Sequence, residues 1–438
     1  MSAVTLFPPL AAASLRHALE KNEPLRIGAL ANGAIALALA EIARAKFASG
    51  VDIPALGVFV ARDGLRQAEL HGVMQALFPD IEIILMPAWD CQPYDRASPN
   101  AGVLARRMEA LSRLVRTRGG SRPRLVIASV NAILQRLPPR DFVARQSFSA
   151  APGQAIDLNS IAIWAEANGY SRVSTVRDVG EFAIRGGLVD LYPPGFADPV
   201  RLDFFGDTLE SIRAFDAESQ RSNANVKRLD LVPMSEFQLT SEAIRRFRQR
   251  YLAEFGGNLR GDTLYEHVSE GRRHVGMEHW LPLFHETLER FDAYLPGASL
   301  ILDHQAEAAI EERFKQIEDY HEARKSALDE AAPGVPYRPL APDALYLARH
   351  EWAVLAGSAI ALSAFETAPG GGVSAINAGT RKGRDFAPER MDPKANLFDA
   401  AASHIREMQR AGRKAVIAAA SEGSRDRLTH VLADHGVT

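Results

Sequence analysis

Four apolar runs, LRIGAL (25–30), LGVFVA (56–61), IEIILM (81–86) and RLVIAS (124–129), are continuous rather than alternating. Side chains alternate across a strand, so a strand apolar at successive positions is buried on both faces. Amphipathic segments at 34–46, 63–77 and 100–115 separate the runs. Strands alternating with helices predict a parallel sheet covered on both sides, an α/β domain of the nucleotide-binding type. SLILDH (299–304) reads as one more buried strand that completes this sheet.

The pattern changes after LPPR (137–140). Short strands with close turns follow in GEFAIRGGLVDLYPPG (180–195) and PVRLDFFGDTLESIRAFD (199–216), which predicts a separate small α+β unit. The expected organisation is therefore a composite α/β domain over 1–145 and 238–365, interrupted by an inserted α+β domain over 146–237. Residues 366–394 are rich in Gly, Pro and charge and read as a linker. Residues 395–438 read as helix, strand (414–420) and helix. One strand and its helices cannot enclose a core, so this element is expected to be the truncated start of a further small α/β domain.

The turn after the first strand, GALANGAI (28–35), has the glycine spacing of a phosphate-binding loop, G-x-x-x-x-G-K-[ST]. Gly28 and Gly33 are in place, but Ala34 and Ile35 stand where the phosphate lysine and the magnesium-ligating hydroxyl belong. ATP hydrolysis on such a fold also uses a strand ending in Asp, usually followed by Glu; here His304 follows Asp303. Hydrolysis by this part of the chain is not expected, and Asp303 reads as a strand-end polar residue.

The net charge of −3 gives no global attraction to nucleic acid. Arg106, Arg107, Arg113, Arg116, Arg118, Arg122 and Arg124 could touch a phosphate backbone, but read better as a solvated helix face and turn, as does RRFRQR (245–250). His267, His274, His279 and His285 have no metal-ligand spacing, and Cys91, the single cysteine, has no identifiable base. Trp280, Leu281, Leu283 and Phe284 read as packing residues. Neither a secretory leader nor a membrane span is legible, so a cytoplasmic protein is expected.

Residues 180–222, GEFAIRGGLVDLYPPGFADPVRLDFFGDTLESIRAFDAESQRS, closely resemble the bacterial excision-repair protein UvrB and the transcription-repair coupling factors, the Mfd family. WDCQPYDRASPN (89–100), ASVNAILQRLPP (128–139) and GMEHWLPLFHE (276–286) extend the resemblance over most of residues 20–438. UvrB has a complete phosphate loop and a long tyrosine-rich hairpin; the degraded loop and the short 89–100 segment resemble the coupling factors instead. The resemblance implies the N-terminal portion of such a factor. The intact protein would be an ATP-dependent DNA translocase, its RNA polymerase and DNA contacts lying beyond residue 438 and its ATP and magnesium in motor domains there. No cofactor is expected in this fragment.

In this family the inserted domain docks onto the damage-scanning ATPase UvrA, and a C-terminal domain of the same protein covers that face at rest. The resemblance carries over Arg185, Arg201 and Phe205 as contact residues. Alternation agrees, placing Arg201, Asp203 and Phe205 on one face of a strand and Leu202 and Phe204 on the other. A solvated face, with Arg201 paired to Asp203 or Asp207, remains the competing reading. Arg201→Glu is expected to abolish UvrA binding with the melting transition nearly unchanged. Two further classes stand beside this non-catalytic recruitment module: a UvrB-type damage-binding ATPase, and a nucleic-acid-binding module acting through the arginine run.

Overall fold

In the computed structural model of the chain, which describes residues 9–48, 57–116, 122–146, 148–256, 259, 261–329, 336–370, 372–417, 419 and 421–437, the apolar runs form strands. They are β1 (Leu25–Gly28), β2 (Gly57–Ala61), β3 (Glu82–Met86) and β4 (Arg124–Ser129). The chain then builds β5 (Phe148–Ala150), β6 (Ser171–Arg172), β7 (Glu181–Arg185), β8 (Leu188–Leu191), β9 (Val200–Phe205), β10 (Thr208–Phe215), β11 (Ser222–Asn225) and β12 (Leu229–Leu231). It returns with β13 (Ser299–Leu302), β14 (Ile360–Leu362) and β15 (Ser374–Asn377).

The first sheet runs β15-β1-β14-β13-β2-β4-β3, every neighbouring pair parallel. β2, β4 and β13 are buried at every position, the reason their sequences do not alternate in polarity. Phe59, Leu125 and Ile301 face a core shared with the helices Ile35–Ala48 and Gly64–Leu77. Val58, Val60, Val126, Leu300 and Leu302 face the opposite core, shared with the helices Ala101–Arg116 and Ala306–Asp329. Asp63 caps Gly64–Leu77 by accepting from the Arg66 backbone N–H at 2.7 Å, which sets the register of that helix against β2. A third, aromatic core stacks Phe237 on Phe284 at 4.5 Å and Phe247 on Phe284 at 4.9 Å; Trp280, Leu281 and Leu283 pack there as expected.

The second sheet runs β11-β10-β9-β8-β7-β6, antiparallel except for the β6–β7 pair. Its inner face, with Phe182, Val189, Leu191, Leu202, Phe204 and Ile212, packs on the helix Leu158–Ala167. β5 and β12 pair separately.

Two local expectations are corrected. Residues 374–377, inside the span read as a linker, are β15, paired in register with β1. The free edge of β1 supplies the hydrogen-bonding partner, and Ile376 is buried, so one apolar residue amid Gly and charge suffices. The strand expected over 414–420 does not form among the described residues; 418 and 420 lie outside the description. A strand needs a neighbour, and among the described residues none pairs with this segment; Val416 and Ile417 are exposed between the helices Leu397–Arg410 and Glu422–Asp434. The chain divides into two units, residues 1–380 and 381–438.

Candidate functional site

The outer face of the second sheet is set by alternation and register. Leu202 and Phe204 of β9 point into the core, which leaves Arg201, Asp203 and Phe205 outside. Register places Ala183, Asp190, Arg201 and Arg213 in one row across the face, and Arg185, Leu188 and Asp203 in the next. Phe205 is 77% exposed. It pairs with Thr208 across the Gly206–Asp207 turn, where Gly206 has φ +59°. On the facing hairpin a Cβ at Gly187 would stand 2.7 Å from the Phe204 carbonyl, so the RGG turn owes its second glycine to close approach of β9.

Arg201 is not the solvated residue of the competing reading, and it pairs with neither Asp203 nor Asp207. Its Nε and Nη2 donate to Asp190 at 2.7 and 2.9 Å, while Arg185 Nη2 donates to the same carboxylate at 2.5 Å. The Asp190 side chain is 1% exposed, Arg201 18% and Arg185 48%. The bond to Asp190 raises the Arg201 guanidinium above its ordinary value, against desolvation. Arg213 pairs with Asp203 at 2.7 Å. Sequence reasoning missed Asp190, although its place in LVDL, between core-facing Val189 and Leu191, assigns it to the outer face.

At the end of β1, the GALANGAI loop turns its N–H groups onto the protein itself. Ala29 donates to the Phe365 carbonyl, Leu30 to the Ser363 carbonyl, and Ala31 to Thr380 Oγ1 at 2.6 Å. Asn32–Ala34 forms a 3-10 turn in which Ala34 donates to the Ala31 carbonyl and Ile35 to the Asn32 carbonyl. Ile35 is buried. Gly28 is fixed by packing, because a Cβ there would stand 2.4 Å from Asn377 Oδ1 and 2.6 Å from the Thr367 nitrogen; at Gly33 a Cβ would meet nothing within 4 Å.

Asp303, at the end of β13, accepts from Arg66 Nε at 3.2 Å, with side chains 1% and 3% exposed. Burial raises the Asp303 carboxyl above its ordinary value and Arg66 pulls it the other way. His304 lies edge-on to Phe365 at 5.6 Å.

The solvated-face reading of the arginine run fails at several positions. Arg107 is fully buried against Glu236, 2.5 Å away, and donates to the Pro87 carbonyl. Arg113 and Arg124 both bind Glu82, at 2.5 and 2.8 Å; burial raises that carboxyl, but the two arginines outweigh it and hold it low. Arg118 lies outside the described residues. In RRFRQR, Phe247 is core, and Arg246 and Arg250 bind the carbonyls of Phe284 and Pro282. Repeated arginine carries no signal that separates these buried anchors from a wet face.

Burial pushes His279 and His285 down to about 4 and the Cys91 thiol up to about 12. Among the described residues no group of His, Cys, Asp and Glu has the arrangement to hold a metal ion, and no helix is long and apolar enough to cross a membrane.

The family model for the UvrB interaction domain matches residues 148–237, the segment that carries this face. The chain is 35% identical over 271 residues to the transcription-repair-coupling factor of Rickettsia bellii, covering 61% of this chain and 24% of that protein. It is 32% identical over 332 residues to that of Haemophilus influenzae, covering 75% of this chain and 27% of the relative. With that of Escherichia coli it shares 31% identity over 325 residues, 74% of this chain and 27% of the relative. The matches thus span about a quarter of each of these relatives.

Proposed function

For a chain homologous to transcription-repair-coupling factors over most of its length and carrying a UvrB interaction domain, we propose a non-catalytic recruitment module: it brings UvrA to DNA where a stalled polymerase has been recognised. The observation that carries this reading is an aromatic side chain, Phe205, left 77% exposed on the outer face of that domain, which also carries Arg185 and Arg201. Exposure alone does not single Phe205 out, since Phe365 is 71% exposed; its place on the face that carries Arg185 and Arg201 does, because aromatic and arginine side chains dominate interface hot spots. Arg185, Arg201 and Phe205 are the contact residues. RNA polymerase, DNA, ATP and magnesium engage other parts of the intact cytoplasmic protein, and its C-terminal domain covers the UvrA face at rest.

The loop geometry supports a module without hydrolysis. Five N–H groups of residues 29–35 are bonded within the protein, and Ala34 and Ile35 supply neither cation nor hydroxyl. The cation nearest Asp303 in its hydrogen-bond set is Arg66. Titration with a fluorescent ATP analogue separates this reading from a UvrB-type ATPase: magnesium-dependent affinity overturns it. A pull-down with purified UvrA tests recruitment. The wild-type chain is expected to retain UvrA without nucleotide and the Phe205→Ala variant to lose it; equal retention by both overturns the assignment.

A further inference from the structure

Arg185 and Arg201 come from different strands yet share one acceptor. Asp190 lies on β8, between β7 and β9, with a side chain only 1% exposed. Arg201 spans both of its oxygens, at 2.7 and 2.9 Å, and Arg185 adds a bond of 2.5 Å to Oδ2. The Arg201 guanidinium also lies over the Phe215 ring, 4.8 Å from its centre. One edge and one face of Arg201 are thereby fixed, while Arg185 is tethered by a single nitrogen and stays half exposed. Free arginines on a surface sample many rotamers, and ordering them on contact opposes association. Here that ordering is already present in the unbound chain.

We infer that Asp190 is a positioning residue for the partner face: it seats Arg185 and Arg201 so that their unused N–H edges and the Phe205 ring meet an acidic, partly apolar surface of UvrA together. This rests on the recruitment reading above. Charge at the Asp190 cluster favours an acidic partner, because one carboxylate serves two guanidiniums there and leaves one positive charge over. A planar, fixed guanidinium takes carboxylates in two parallel bonds, which a lysine cannot reproduce.

The test measures UvrA affinity of the whole chain by titration calorimetry, well below each variant's melting point. Phe205→Ala reports on the face itself; if it binds as wild type does, the recruitment reading fails, and this inference with it. If Phe205→Ala loses binding, Asp190 is judged separately. Asp190→Asn is expected to weaken binding about tenfold or more. That loss is expected to shrink in an Arg201→Gln background, where only the Arg185 seat remains for Asp190→Asn to remove. Arg201→Lys keeps the charge, and is expected to weaken binding about tenfold because it cannot span both Asp190 oxygens. Wild-type affinity of Asp190→Asn, an undiminished loss in the Arg201→Gln background, or wild-type affinity of Arg201→Lys each overturns the positioning role while leaving the face assigned. Should Asp190→Asn not fold, Arg201→Lys alone decides.

Discussion

Arg201→Glu is expected to lower stability as well as binding, contrary to what sequence alone implied. The substitution removes two charge-assisted bonds to a carboxylate that is 1% exposed and sets a second carboxylate beside it. Breaking a buried ion pair by changing one partner costs about 3–5 kcal/mol. Two features reduce that here: Arg201 is itself 18% exposed, and Arg185 still contacts Asp190. Repulsion between the two carboxylates adds back as much as about 4 kcal/mol at 4 Å, before either takes up a proton or rotates away. A net loss of about 3 kcal/mol follows, which lowers the melting temperature by roughly 4 °C in a cooperative unit spanning residues 1–380. Phe205→Ala alters a side chain that is 77% exposed, so its stability is expected to stay within about 0.5 kcal/mol of wild type. Scanning calorimetry of the three proteins at neutral pH reads both effects. A melting point for Arg201→Glu within a degree of wild type, or an equal fall for Phe205→Ala, refutes this account of the face.

Arg66→Met strands Asp303 in the core and is expected to cost about 3–5 kcal/mol by urea unfolding; adding Asp303→Asn should recover part of it, and a fully additive double variant contradicts the pairing. Gly28→Ala drives a Cβ against Asn377 and the Thr367 backbone, with an expected loss of about 1–3 kcal/mol; an unchanged urea midpoint contradicts that packing. His279 and His285 are held down to about 4 in the fold, against an ordinary value near 6.5 unfolded. The unfolded chain therefore binds more protons between those values, so their contribution to stability is complete above about pH 6.5 and is lost as pH falls toward 4. Replacing both by Gln should flatten this limb in urea titrations across pH; an unaltered limb contradicts their burial as neutral rings.

The parallel sheet was legible because its central strands carry continuous apolar runs, buried on both faces, a pattern few other architectures require. Phe205 was legible because alternation left it opposite Leu202 and Phe204. Asp190 and Arg66 were not: each acts through a residue on another strand or helix, and one sequence does not record which register joins them. The arginine run misled for a related reason, since Arg107 and Arg124 have the same composition signal as surface residues and differ only in the acids, Glu236 and Glu82, that the fold brings to them. The strand that the described residues of 414–420 do not form marks another limit, because apolar β-branched sequence states a propensity while a strand also needs a neighbour. Gly28 and Gly33 looked alike in the loop motif, yet only Gly28 is fixed by a close contact.

The claim that the outer face of the second sheet is where UvrA docks is tested most directly by hydrogen–deuterium exchange on the chain alone and mixed with purified UvrA. Slowed exchange confined to peptides covering β7–β10, residues 181–215, is the predicted result. Protection centred on residues 28–35, or none on β7–β10 under saturating UvrA, contradicts it.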